Sequence, residues 1–241
     1  MPYLCGLWRF ANAYKQTISV GGINMDNNVI HKGWDWNNVN NESWDSVSAE
    51  FLPISFDWLK RFKSMVDIGA GKGRHALYMN ANGMQVSAVD LSESSKEIID
   101  QKNKEQDGSV KTFISDMTNL PFDDESFDCA ICFHAIYHTD YQGLKKAVDE
   151  MRRVLKKGGE VYVTFNSKDN PSFKNGISVD NYTIYKTDGI EAGIPHTYVN
   201  YEDIQEVMSG FKLIKVQQIQ NYLYKGEPTG GQHYYVLAQK L

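Results

Sequence analysis

The chain has 241 residues, 41% of them hydrophobic and 23% charged, which supports one substantial core but not two full enzymatic domains. Its formal net charge of −5 gives no global attraction to phosphate backbones or anionic lipid, so nucleic acid is a disfavoured partner. No apolar run approaches the roughly 20 residues that span a bilayer, and Arg9, Asn12 and Lys15 interrupt the first twenty residues, so a cytoplasmic protein is expected.

Residues 1–45 are rich in Asn and Trp, lack a hydrophobic period, and read as an N-terminal extension or lid. From residue 44 to 62, Val47, Phe51, Ile54, Trp58 and Leu59 recur at helical spacing, with Pro53 expected to bend or split the helix. Elements then alternate regularly. A strand over 64–68 runs into Gly69-Ala70-Gly71-Lys72-Gly73, and a helix over 74–82 is stopped by Gly83.

A strand over 84–89 ends at Asp90, and Ser94 with Glu97 offers a capping box for a helix reaching Gly108. The strand 110–114 ends at Asp116, and 127–133 is a continuous apolar run expected of a central parallel strand. Leu144, Ala147, Val148, Met151, Val154 and Leu155 mark the clearest helix, which Gly158-Gly159 is expected to end before a strand over 160–165. Segments 211–219 and 233–239 read as an antiparallel hairpin at a sheet edge. The order predicts a doubly wound, mostly parallel seven-stranded α/β sheet in one domain, 46–241, with 167–200 as a substrate-covering insertion.

In such sheets ligands bind outside the carboxyl ends of the strands, and four of those ends carry unusual residues. Gly69, Gly71 and Gly73, with Ala70 between them, allow a tight turn and close backbone approach, and the next helix offers free N–H groups to an anion. Asp90, followed by Leu91, lies about 20 residues on, where a carboxylate accepts from ribose hydroxyls. Asp116 and the backbone N–H of Met117 can meet an adenine edge. Cys129 and Cys132 spell C-x-x-C close to His134 and His138, but positions three apart on a strand face opposite ways. They are expected to be core cysteines, and no metal site is expected. With Cys5 they form an odd set that fits a reducing compartment.

The run Val66-Asp67-Ile68-Gly69-Ala70-Gly71-Lys72-Gly73, then Val89-Asp90-Leu91-Ser92, Asp116-Met117, Phe127-Asp128 and Leu155-Lys156-Lys157-Gly158-Gly159, resembles the class I S-adenosylmethionine (SAM)-dependent methyltransferases. Within them it is similar to the methyltransferase type 11 and tellurite-resistance-like small-molecule enzymes. The resemblance covers about residues 60–168. It implies SAM as cofactor and S-adenosylhomocysteine as product, with Asp67 near the methionine part, Asp90 on ribose and Asp116 at adenine. It also implies that the segment from Phe133 and His134 to His138 lines the methionine moiety and faces the acceptor.

Methyl transfer from a sulfonium is an in-line displacement, aided by a base when the nucleophile carries a proton. His134 and His138 are the candidates for base or orienter, and Tyr137, His196, Tyr198 and Tyr201 for acceptor contacts. Aromatic faces, including Trp34, Trp36 and Trp44, can hold a cationic or planar acceptor. No Asn/Asp-Pro-Pro-aromatic segment for exocyclic base amines is present, which favours a small-molecule acceptor. The competing expectations are an NAD-dependent oxidoreductase and a non-catalytic SAM-binding module. Against NAD, Arg74 stands where G-x-G-x-x-G requires its third glycine, and no Tyr-x-x-x-Lys occupies the expected position.

Overall fold

A computed structural model describes residues 34–39, 44–187, 189, 191–222 and 228–241. Cys5 and most of the expected N-terminal extension lie outside the described residues.

Five parallel strands form the body of the sheet: β1 (Ser64–Ile68), β2 (Gln85–Asp90), β3 (Lys111–Ile114), β4 (Phe127–Cys132) and β5 (Leu155–Ser167). Their spatial order is β3-β2-β1-β4-β5, so strand order reverses between β1 and β4. The antiparallel hairpin of β9 (Phe211–Tyr222) and β10 (Pro228–Lys240) pairs with β5 through β10, giving the expected seven strands. Three short strands come from the segment expected to be an insertion: β6 (Ile177–Ser178), β7 (Thr183–Tyr185) and β8 (Pro195–Val199). Asn166 pairs with His233 on one side and Tyr198 on the other, so β8 continues the edge of β5 that β4 vacates. The segment read as irregular therefore extends the sheet beyond the carboxyl end of β4.

Helices cover both faces. Trp58 of α1 (Leu52–Arg61), Ala76 and Met79 of α2 (Arg74–Ala81) and Ile99 of α3 (Glu93–Gln106) share one core. Leu144, Ala147, Val148, Met151 and Val154 of α4 (Tyr141–Val154) and Ile204 of α5 (Tyr201–Val207) share the other. Each fully buried large aliphatic of α4 contributes about 1.5–3 kcal/mol. β4 alternates between these cores. Cys129 and Ile131 face one and Ala130 and Cys132 the other, as the pleat requires. Burial raises both thiol pKa values, so both cysteines are inert core groups.

Several boundaries differ from the sequence expectation for local reasons. Pro53 does not split a long helix; it stands in the first turn of α1, where a missing N–H costs nothing. Ser92, not Ser94, caps α3, accepting from the Ser95 N–H at 3.3 Å. The Ser94 hydroxyl instead accepts from the Trp36 backbone N–H at 2.9 Å. α4 ends at Val154 before the glycine pair, and β5 begins at Leu155, with a register shift against β4 that Gly158 (φ 77°) accommodates.

Candidate cofactor and acceptor clefts

A cleft opens at the carboxyl ends of β1, β2, β3 and β4, where ligands of doubly wound sheets bind. Gly69, Ala70, Gly71, Asp90, Leu91, Asp116, Met117, Phe133, His134 and His138 all line it. Ten of the sequence-derived candidates, from four separate strand ends, thus share one cavity.

The glycines are required by space as well as by φ. A Cβ on Gly69 (φ 69°) would lie 2.2 Å from the Ala135 Cβ, and one on Gly71 (φ 55°) 2.7 Å from the Trp36 ring. Gly73 does not line the cleft. Its added Cβ would lie 2.7 Å from Ile99, so it serves the packing of α2 on α3. Asp67 also stays behind the cavity wall: its buried carboxylate accepts from the Ala76 N–H at 3.1 Å, and burial raises its pKa to about 7.

Asp90 accepts from the Gly71 N–H at 2.8 Å and from the Ser92 N–H at 3.0 Å. Burial raises its pKa, and those two N–H groups oppose the rise. The carboxylate ties the glycine turn to the end of β2 and stands in the cleft wall. Asp116 closes a side-chain turn, accepting from the backbone N–H and hydroxyl of Thr118, both at 2.7 Å.

Trp34, Trp36 and Trp44 lie on the same cleft as a cluster, with ring centroids 5.5–6.5 Å apart. The indole N–H of Trp34 is buried without a hydrogen-bond partner among the described residues, whereas the Trp36 side chain interacts with Asp90. Buried unpaired donors on a cavity wall cost free energy that a ligand acceptor recovers. Arg74, the first residue of α2, holds its guanidinium carbon 5.3 Å from the ring centres of both Trp44 and Phe133. The sequence reading used Arg74 only as a departure from the dinucleotide pattern.

His134 joins this cleft to a second one, which is lined by Tyr137, Lys186, Glu191, His196, Tyr198 and His233 among others. It carries a left-handed backbone (φ 56°) that is uncommon outside glycine, with its N–H donating to the Thr164 hydroxyl at 2.6 Å. Its Nδ1 lies 3.0 Å from the Tyr137 hydroxyl, and burial holds its pKa well below the usual histidine value. That burial favours the neutral imidazole over its protonated form. The buried Tyr198 hydroxyl is engaged with Ser172 Oγ at 2.8 Å. Tyr201 is not brought to either cleft; it opens α5 and is 43% exposed. Glu191, Lys186 and His233 were missed, because they arrive from the β7–β8 hairpin and from β10, which carry no motif.

Among the described residues, no helix is long and apolar enough to cross a membrane.

A family model described as a methyltransferase domain matches residues 66–163. A demethylmenaquinone methyltransferase from Clavibacter sepedonicus is 32% identical over 116 residues, 48% of this chain and 46% of the relative. The chain thus spans about half the length of that curated relative. A SAM-dependent methyltransferase structure from Methanosarcina mazei superposes with TM-score 0.67 at 18% identity, covering 81% of this chain and 99% of the other. A 1,6-didemethyltoxoflavin-N1-methyltransferase from Burkholderia thailandensis, solved with bound 1,6-didemethyltoxoflavin and S-adenosylhomocysteine, gives TM-score 0.60 at 18% identity, covering 80% of this chain and 78% of the other. The match over residues 66–163, with the sheet order and the superposition on SAM-dependent methyltransferases, supports a methyltransferase domain of the class I SAM-dependent type in this part of the chain.

Proposed function

We propose that the chain transfers a methyl group from SAM to a small-molecule acceptor. The observation that carries this reading is the shared cleft, where a glycine turn, Asp90, the Asp116–Met117 pair and His134 converge from four strand ends. When bound, SAM would supply an electrophilic methyl group, whose carbon the acceptor attacks in line while the C–S bond breaks and S-adenosylhomocysteine leaves.

Gly69 to Gly71 give the backbone approach the cofactor needs, since a side chain at either glycine would collide with Ala135 or Trp36 in the cleft wall. Asp90 accepts from the ribose hydroxyls, and Asp116 with the Met117 N–H meets the adenine edge. Arg74, at the positive end of an eight-residue helix, pairs with the methionine carboxylate. Trp34, Trp36 and Trp44 cover the cavity and exclude water, the lid role expected of residues 1–45.

His134, neutral and hydrogen-bonded to Tyr137, takes the acceptor's proton at the boundary between the clefts. The second cleft is the acceptor chamber, and its wall from the 167–200 segment chooses the acceptor. The formal net charge of −5 favours a small acceptor over nucleic acid.

Thermal unfolding of the purified chain with SAM, S-adenosylhomocysteine and NAD in parallel tests the cofactor. A ligand at a hundred times its Kd stabilises by about 2.7 kcal/mol. Stabilisation by the SAM pair alone supports the reading, and a response to NAD alone overturns it. Turnover in an acceptor screen separates an enzyme from a module that only binds SAM.

A further inference from the structure

Three metal-ligating side chains meet in the acceptor chamber. His138 Nε2 lies 3.7 Å from Glu191 Oε1, and His196 Nε2 lies 3.3 Å from Glu191 Oε2. All three donor atoms fall within 4.8 Å of one another.

The fold holds this arrangement from two directions. Thr197 of β8 donates its N–H to the Tyr137 carbonyl at 2.8 Å and its hydroxyl to the Thr139 carbonyl at 2.6 Å. His196 is thereby fixed beside His138, with ring centres 4.8 Å apart. In the hairpin joining β7 to β8, the Ile194 N–H donates to the Glu191 carbonyl and the Gly193 N–H to the Lys186 carbonyl, both at 2.9 Å.

The Nε2 atoms of His138 and His196 are both buried and both turn toward the Glu191 carboxylate, their nearest charged neighbour among the described residues. His196 Nδ1 lies 3.1 Å from the Ile194 carbonyl, which can only accept, so Nδ1 carries a proton. A carbonyl partner on the far nitrogen is the usual way in which a ligating histidine is oriented.

We propose that His138, Glu191 and His196 bind one divalent transition-metal cation of the zinc type, with open coordination positions that receive an anionic oxygen or sulfur of the acceptor. Two imidazoles and one carboxylate suit such a cation, whereas magnesium and calcium prefer all-oxygen sites. Tetrahedral ligands at about 2.1 Å from zinc stand about 3.4 Å apart, which the His196–Glu191 pair already matches. The cleft also carries the Lys186 ammonium, so an anionic or chelating acceptor would meet two positive charges beside His134. No metal was expected from the sequence, because its C-x-x-C belongs to the core; one histidine near that motif, His138, is used with partners more than fifty residues away. The acceptor role rests on the methyltransferase reading, but metal binding does not.

The full chain, stripped with a chelator, is titrated with Co2+ by visible absorption and with Zn2+ by calorimetry. One equivalent is expected for each metal, with tetrahedral or five-coordinate absorption bands for Co2+. Glu191→Gln and His196→Gln should each weaken binding beyond the roughly 10–100-fold that loss of a hydrogen-bond partner to a ligand costs. Both variants should keep the SAM-induced thermal shift, because neither residue lines the cofactor cleft. Should His196→Gln fail to fold, Glu191→Gln, at a side chain 32% exposed, carries the test. Absence of stoichiometric binding, or variants that bind as the parent does, overturns the proposal. Metal binding without a SAM response would uphold this site while sinking the methyltransferase reading.

Discussion

The Trp36 indole lies against Gly71 so closely that a Cβ there would stand 2.7 Å from the ring. The same glycine donates its N–H to Asp90 at 2.8 Å, so one residue without a side chain joins the aromatic cover to the carboxylate. Gly71→Ala should displace Trp36 and strain a backbone at φ 55°. We expect SAM affinity to fall at least tenfold, about 1.4 kcal/mol, with a shift in tryptophan emission. The Gly71→Ala/Trp36→Ala pair separates the two causes: affinity recovered in the double variant assigns the loss to the clash, and no effect of Gly71→Ala alone removes the close-approach argument.

Asp90→Asn probes the ribose contact while keeping the side chain's size. The amide still accepts one backbone N–H, so the glycine turn should hold, yet the charge-assisted bonds to ribose hydroxyls are lost. Hydrogen bonds to charged groups are worth about 1.5–3 kcal/mol, which corresponds to about 10–150-fold in SAM affinity. Calorimetry on a variant with native circular dichroism reads this directly, and unchanged affinity would detach Asp90 from the cofactor.

That prediction was available from the sequence, and the reason is physical. Strand-end residues such as Gly69, Asp90 and Asp116 take their positions from the alternation of short apolar strands with helices, which the chain displays within windows of a few residues. The order of the parallel strands is then limited by right-handed crossovers. Glu191 and His196 are different. They depend on β8 continuing the edge of β5 beyond β4, a long-range pairing carried by two residue pairs, Asn166–Tyr198 and Ser167–Val199. Local periodicity holds no record of such a contact. Gly73 misled in another way, because a glycine needed to admit a ligand and one needed to admit Ile99 look identical in sequence.

Asp67 makes stability depend on pH. Its pKa stands at about 7 in the folded chain against an ordinary value of 3.8, burial being the main cause. Between about pH 4 and 7 the native state keeps a proton that the unfolded chain has released, so this contribution to stability is complete below pH 4 and is lost as pH rises through 7. Asp67→Asn removes the titration while still accepting from Ala76. Urea midpoints from pH 4.5 to 8 should show the parent losing stability relative to the variant as pH rises. A constant difference would mean that Asp67 is ionised throughout.

At the opposite end of the sheet, buried Glu160 accepts from the Trp58 indole N–H at 2.8 Å and from two guanidinium nitrogens of Arg61 at 2.8 and 2.9 Å. This bracket anchors α1 to β5, far from both clefts. Arg61→Leu leaves a carboxylate with a single neutral donor. The penalty should be about 2 kcal/mol, in the lower part of the range for a charged hydrogen bond, since the Arg61 side chain is 40% exposed and partly screened by solvent. Chemical denaturation measures it, and SAM affinity should not move.

His134 combines a left-handed backbone with a neutral imidazole, and the two properties can be separated by substitution. Asparagine tolerates φ near 56° better than other residues with a Cβ, so His134→Asn should fold with little loss of stability. A β-branched residue cannot adopt that conformation without strain, so His134→Val should unfold more readily. Both variants lack the proton acceptor, and removal of a positioned general base lowers turnover by about 100–10,000-fold. With an acceptor whose reacting group carries a proton, His134→Asn should lose kcat by at least about 100-fold while its thermal shift with SAM persists. An equal loss in His134→Asn and parent-like turnover in His134→Gln would point to geometry, because glutamine can reach the Tyr137 hydroxyl without taking a proton. Parent-like turnover in both would leave His134 as a strained hinge between the two clefts and move the base to another group in the acceptor chamber, with His233 the first to test.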